Sequence, residues 1–305
     1  MKIALVGFGF WGKVWQKTIL EHSTVELACI YTPSPKVGAL FTSEFDRVLA
    51  ADIKAVIVAC STPAHYEVVK SCLNAGKHVL CEKPLTLTLA HADELARIAA
   101  SKGLALQTNF SYLESPTIQG IRAELHSLGK IYCVESWIDG LGNFYPNEDA
   151  YSVHSPHVLA LTFSLFPELK FEIDTLDLVF SRQATVDVGV IRMRSGDFTA
   201  LHHTSLRGIS RARMIAFYGS EGTAEYDATN EHQFALRKHQ ESGFKIIEGE
   251  TSRLKFDESL NISRSLERFL RIIEGKESSN ITIAIKVAEA LESISARVRR
   301  PINVA

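Results

Sequence analysis

The sequence predicts a two-part α/β protein. Residues 1–115 read as a doubly wound parallel sheet. Residues 116–305 read as an α+β domain on a large open, mostly antiparallel sheet. Three observations carry this. An apolar run at 2–6 leads into Gly7-Phe8-Gly9-Phe10-Trp11-Gly12 and then into an amphipathic helical pattern at 13–21. Strand-length apolar runs then alternate with helical stretches as far as residue 108, the pattern of a parallel sheet covered on both faces. After Asn109 the strands alternate apolar with polar side chains, as an antiparallel sheet with one covered face does.

In order, 26–31 is a second apolar strand and 39–41 a short third. Residues 43–50 suggest a helical turn with Ser43 as a cap. Ala55-Val56-Ile57-Val58-Ala59 is a strand with no polar alternation. A helix at 63–75 has Pro63 near its start, where proline is tolerated, and stops at Gly76. A strand at 78–81 and a helix at 88–101 follow, with Leu89, Ala92, Leu95, Ile98 and Ala99 at helical spacing. The last parallel strand is 104–108. In the second part, helices are expected at 117–128, 153–166, 259–274 and 283–299. Strands are expected at 131–137, 185–193, 199–205 and 213–218. Residues 139–151 read as a loop.

Composition sets limits. The chain has 305 residues and a formal net charge of −2, which gives no electrostatic reason to expect nucleic acid or an acidic membrane. No apolar run approaches the roughly 20 residues of a bilayer span, and no cleavable signal pattern precedes the first strand. A cytoplasmic protein is expected. The five cysteines, Cys29, Cys60, Cys72, Cys81 and Cys133, are odd in number and lack C-x-x-C spacing, so they read as reduced, mostly packed thiols.

Strand, G-x-G-x-x-G and helix in succession form the dinucleotide fingerprint. Gly7 permits the tight turn. Gly9 lets a pyrophosphate approach the backbone, and Gly12 lets the helix pack closely on the strand. The helix start, with Phe10 and Trp11, offers free N–H groups and a positive dipole end. A dinucleotide fold usually ends its second strand with an acid that bonds the adenine ribose and excludes a 2′-phosphate. Thr32 stands there instead. Thr32 and Ser34 can donate hydrogen bonds to a 2′-phosphate and Lys36 can neutralise it. NADP(H) is therefore favoured as cofactor, with NAD(H) the alternative.

Cys81-Glu82-Lys83-Pro84-Leu85 is more specific. Placed after Ala75-Gly76-Lys77-His78-Val79-Leu80, it resembles the glucose–fructose oxidoreductase / inositol dehydrogenase (Gfo/Idh/MocA) family of NAD(P)-dependent oxidoreductases. Further segments carry the resemblance. Ser61-Thr62-Pro63-Ala64-His65 is similar to the family's T-P-x-x-H turn beside the nicotinamide. Asn109-Phe110-Ser111-Tyr112 with Pro116 resembles its crossover segment. Leu128-Gly129-Lys130-Ile131 and Gly219-Ser220-Glu221-Gly222-Thr223-Ala224 resemble its entry into the large sheet and its late turn. The resemblance implies hydride transfer between a nicotinamide and a hydroxyl-bearing carbon of a sugar, polyol or sugar nucleotide. It also implies an oligomer, a homodimer or homotetramer, joined through the outer sheet face.

Such chemistry needs a proton carrier at the reacting oxygen. Lys83 lies just past the carboxyl end of a parallel strand, where doubly wound sheets place ligands. Burial or a nearby positive charge brings a lysine from ~10.4 toward roughly 7–8. The resemblance gives Lys83 the substrate oxygen, and Glu82 is expected to hold Lys83 or nearby backbone. His157 is the second candidate, in a segment resembling the family's D-x-x-x-H helix start. Val153 stands where that pattern has Asp, so Asp149 or Tyr151 is the candidate substitute. His154, at i, i+3 from His157, could share the substrate site, with Tyr112 bounding it. Asn109 is expected near cofactor or substrate. Arg207, read as a loop residue, is an optional anion ligand. No carboxylate cluster supports the two histidines, so no metal is expected. Two rivals stay open: an imine or tetrapyrrole reductase of the same fold, and a non-catalytic NADP(H)-binding regulator.

Overall fold

The computed structural model describes residues 1–34, 36–141, 148–180, 186–230, 233–242, 245–256 and 261–298. The chain forms two compact units. One holds residues 1–111 with 260–289, the other residues 112–259 with 290–305.

In the first unit, β1 (Lys2–Val6), β2 (Glu26–Tyr31), β3 (Phe41–Thr42), β4 (Ala55–Val58), β5 (His78–Glu82) and β6 (Leu106–Asn109) form one sheet. Its order is β3-β2-β1-β4-β5-β6, and its pairs are parallel. β1 and β4 lie side by side although β2 and β3 separate them in the chain; the winding reverses at β1, which places the glycine turn at the switch point. β4 is buried at every residue, as its lack of alternation requires. Helices α1 (Phe10–Glu21), α2 (His65–Asn74) and α3 (Leu89–Ser101) cover the sheet. Trp15 and Ile19 of α1 enter a core with Ile3, Leu5, Ile57 and Leu80.

The second unit opens with α4 (Pro116–Glu124), whose Ile118 N–H donates to the Ser115 hydroxyl. β7 (Ile131–Leu141) and α5 (Ala150–Leu165) follow, then β8 (Glu172–Phe180), β9 (Val186–Ser195), β10 (Phe198–Ser205), β11 (Arg207–Gly219), β12 (Gly222–Asp227), β13 (Phe234–Ser242) and β14 (Lys245–Leu254). The eight strands run in the order β14-β13-β12-β11-β7-β10-β9-β8. β7 and β10 pair in parallel, and the other pairs are antiparallel. α5 packs on β7, β9 and β10. Buried His202 joins helix to sheet. Its Nδ1 lies 2.8 Å from Ser136 Oγ and its Nε2 3.1 Å from Thr162 Oγ1. Thr162 already donates to the Val158 carbonyl, so His202 Nε2–H donates to Thr162 and Nδ1 accepts from Ser136. That is a neutral imidazole.

The chain then enters α6 (Asn261–Ile273), whose Leu266 and Phe269 are fully buried in the core around Ile3 and Trp15. α7 (Ile281–Arg297) gives residues 281–289 to the first unit and the rest to the second. Asn280 completes the edge strand β6. It donates Nδ2–H to the Thr108 carbonyl at 2.7 Å, and its Oδ1 accepts from the Thr108 N–H at 3.0 Å. The expected boundary at residue 115 therefore misses the return of residues 260–289.

Local differences have physical reasons. The third strand is displaced to Phe41–Thr42, and Ser43 caps nothing, because the turn at Phe45–Arg47 starts from Glu44. β8, β12, β13 and β14 go beyond the expected strands. Residue 185 lies outside the described residues. Arg207 begins a strand instead of lying in a loop.

Candidate nucleotide and substrate sites

The carboxyl ends of β1, β4 and β5 are neighbours, so three turns meet at one edge of the first sheet: residues 7–12, 60–65 and 83–84. Gly7 has φ +98°, and a Cβ there would stand 2.5 Å from the Ala59 carbonyl oxygen. At Gly12 a Cβ would stand 2.3 Å from the Gly7 oxygen. Both positions therefore require glycine. Gly9 differs: a Cβ there meets nothing within 4 Å. Its lack of a side chain leaves open space beside the first turn of α1, where Phe10 and Trp11 are exposed and their backbone N–H groups precede the first helical bond, Lys13 N–H to Gly9 at 3.1 Å. This cradle fits a dinucleotide phosphate.

At the end of β2, Thr32 is buried and its N–H donates to Thr42, while Ser34 and Lys36 are exposed. Lys36 Nζ lies 5.8 Å from the Phe8 ring centroid. The cation expected to meet a 2′-phosphate thus leans toward the glycine turn. Ser61 and Pro63 are exposed at the turn Thr62–Ala64.

Glu82 organises the β5 edge. It is buried, and its Oε1 accepts from Trp15 Nε1 at 2.7 Å and Asn109 Nδ2 at 2.8 Å, while Oε2 accepts from the Lys83 N–H at 3.3 Å. Burial pushes its carboxyl pKa up, against the pull of the bonds from Asn109 and Trp15 and the charge of Lys83. The sequence reading of Glu82 as a brace agrees with this geometry. Trp15 as its partner was missed, although its spacing as the sole aromatic on the buried face of α1 offered a weak signal. Lys83 follows, partly exposed, joined to Pro84 by a cis peptide bond.

His65 links two of these turns. It is buried, with Nδ1 2.8 Å from the Pro84 carbonyl oxygen and Nε2 3.2 Å from that of Cys60. Burial lowers its pKa. A neutral ring has one N–H, and the shorter contact assigns it to Pro84. His65 thus ties the 60–65 turn to the Lys83-Pro84 turn.

In the second unit, Tyr112 packs with Ile138 and Val158. Its ring centroid lies 4.7 Å from that of His157. His154 lies on the same helix beside Gly140, where a Cβ would come 3.8 Å from its ring. The structure therefore brings Tyr112 and His157 together. Both candidate replacements for the acid at Val153 have local partners. Asp149 caps α5, accepting the Ser152 N–H at 2.8 Å within a reciprocal capping box. Buried Tyr151 donates to Asp177 Oδ1 at 2.8 Å. Arg207 is engaged too, with Nε 2.6 Å from Oδ2 of fully buried Asp187. Among the described residues, no group of three or more His, Cys, Asp and Glu side chains is placed to hold a metal.

Residues 1–110 match the family described as GFO_IDH_MocA, an oxidoreductase family with an NAD-binding Rossmann fold. The match covers this part of the chain. The uncharacterized oxidoreductase YhhX of Escherichia coli is 43% identical over 102 residues, which cover 32% of this chain and 30% of that protein. The match thus spans under one third of this curated relative's own length. Solved structures align over nearly the whole chain. The UDP-N-acetylglucosamine 3-dehydrogenase GnnA of Acidithiobacillus ferrooxidans superposes with a TM-score of 0.82 at 20% identity, covering 98% of this chain and 97% of that one. A 3-ketoreductase of Actinomadura kijaniata, solved with TDP-benzene and NADP, superposes at 0.77 with 18% identity and covers 98% of each chain. At these identities the likeness establishes a shared two-unit fold. No helix among the described residues is long and apolar enough to cross a membrane.

Proposed function

We propose that the protein is an NADP(H)-preferring oxidoreductase that interconverts a secondary alcohol and a ketone on a sugar, polyol or sugar nucleotide. The observation that carries this reading is the braced edge of the first unit. Glu82, fixed by Trp15 and Asn109, anchors the Lys83 backbone beside the glycine turn. Gly7, Gly9, Gly12 and the first-turn N–H groups of α1 would hold the pyrophosphate, with the Ser61–Pro63 turn and Asn109 bordering the nicotinamide end. Bound nicotinamide supplies or accepts the hydride. Lys83 moves the proton at the substrate oxygen: its ammonium donates to a forming alkoxide, and its neutral amine accepts from the alcohol in the reverse direction. His157, set against Tyr112, positions the substrate. With Asp149 and Tyr151 engaged elsewhere, the main proton path is assigned to Lys83. The likeness to the UDP-N-acetylglucosamine 3-dehydrogenase and to the 3-ketoreductase supports this substrate class.

Replacing Lys83 with Ala should reduce turnover at least about a hundredfold while leaving NADPH binding measurable. Turnover at the wild-type rate would refute the assignment. Lys36→Ala should lower the preference for NADPH over NADH roughly tenfold. A wild-type protein that binds NADH more tightly would overturn the cofactor choice.

A further inference from the structure

Arg213 differs from four other arginines of the large sheet. Arg192, Arg194, Arg207 and Arg237 each reach a carboxylate, on Asp174, Glu172, Asp187 and Glu248 respectively. Arg213 is exposed and has no ion pair among the described residues. Its guanidinium carbon lies 6.0 Å from the centroid of Tyr112, the ring that packs against His157.

Register explains both the exposure and the missing partner. Arg213 is paired with Ile138, which packs with Tyr112 and Val158 on the face covered by α5. Side chains two and four residues along a strand share a face. Ile215 and Phe217 are accordingly buried. Arg213 is thus the charged end of an otherwise apolar row. The carboxylates nearest in register are Asp139, opposite Ala212, and Asp227, opposite Met214. Ala212 and Met214 flank Arg213 in the strand, so both acids belong to the other face. A cation placed over a buried aromatic ring, with its N–H edge unclaimed by any carboxylate among the described residues, suits bidentate capture of an oxyanion.

We propose that Arg213 binds an anionic group of the substrate, a phosphate or a carboxylate, beside Tyr112 and His157. This rests on reading the second unit as the substrate unit. It narrows the substrate class to acidic carbohydrates: sugar phosphates, sugar nucleotides or sugar acids. The uncharged polyols fall outside it.

The test is calorimetric titration of the NADP-loaded protein with glucose, glucuronate, glucose 1-phosphate and UDP-glucose, each at up to millimolar concentration. At least one anionic probe should bind roughly ten- to hundredfold more tightly than glucose. Arg213→Gln should abolish that difference, with NADPH affinity and melting temperature unchanged. Arg213→Lys should retain only part of it, because a lysine is a point charge without the planar fork. The arm that loses most in the variants tells phosphate from carboxylate. Equal binding of glucose and every anion, no binding by any anion, or undiminished anion binding in Arg213→Gln would each overturn the proposal. Nicotinamide absorbance recorded on the same samples separates it from the redox reading. Arginine-dependent binding without hydride transfer would sink the redox reading alone. Hydride transfer to a neutral sugar without anion preference would sink the assignment of Arg213 alone.

Discussion

His202 shows how a single buried side chain couples pH to stability. Burial lowers its pKa from 6.5 to about 3. The unfolded chain takes up a proton near pH 6.5 that the folded imidazole refuses, so the unfolded state gains protons as pH falls. Stability should therefore be lost progressively between pH 6.5 and about 3, by on the order of 5 kcal/mol once the loss is complete. Denaturant melts across this range should show a shallower slope for His202→Gln. An unchanged slope would mean that other groups control acid unfolding. At this scale the sequence revealed what local pattern controls. Gly7, Gly9, Gly12 and Glu82-Lys83-Pro84 sit in contiguous motifs that are recognisable without their distant neighbours. The bonding of His65 is not legible in sequence, because only tertiary packing shows that both its nitrogens meet carbonyls. Arg213 was missed for the same reason. Its meaning comes from a face shared with Ile138 on another strand, and Arg207, nearer a presumed loop, drew attention instead.

At the scale of elements, the glycine turn makes a discriminating prediction. Gly7→Ala forces a side chain into φ +98° and against the Ala59 carbonyl, costing roughly 1–3 kcal/mol from backbone conformation alone. Gly9→Ala has open space at its Cβ, so the protein should melt as the wild type does. Its methyl occupies the room offered to a phosphate, and NADPH affinity should fall roughly tenfold. If Gly9→Ala binds NADPH normally, the cradle has been placed wrongly. Two of the strands that the sequence reading lacks, β14 and β8, have no apolar face to announce them. β14 is exposed along nearly its whole length, so it has no apolar face to announce it. β8 pairs Ile173 and Thr175 with buried Met193 and Ile191, then leaves Leu176 and Leu178 exposed across a register shift. Its alternation changes phase midway, and neither face reads as apolar.

For the whole molecule, the fold class followed from alternation in the first third and its change after Asn109. The unit boundary did not follow, because residues 260–289 look like an ordinary C-terminal helix pair. Only the packing of Leu266 and Phe269 beside Ile3 and Trp15, and the bonds of Asn280 to Thr108, show that they complete the first unit. Burying each of those two apolar side chains contributes roughly 1.5–3 kcal/mol. A fragment of residues 1–115 should accordingly fail to melt cooperatively. A sharp thermal transition in that fragment would show that the first unit is complete without the return.

The central claim is hydride transfer to a carbohydrate carbon, and isotope transfer tests it most directly. The protein would be incubated with NADP and sugars, sugar acids and sugar nucleotides deuterated at their secondary alcohol carbons, and the nicotinamide analysed by mass spectrometry. The account predicts deuterium on the reduced nicotinamide from at least one substrate, with the transfer strongly reduced in Lys83→Ala. Tight NADPH binding with no deuterium reaching the nicotinamide from any of them would contradict it.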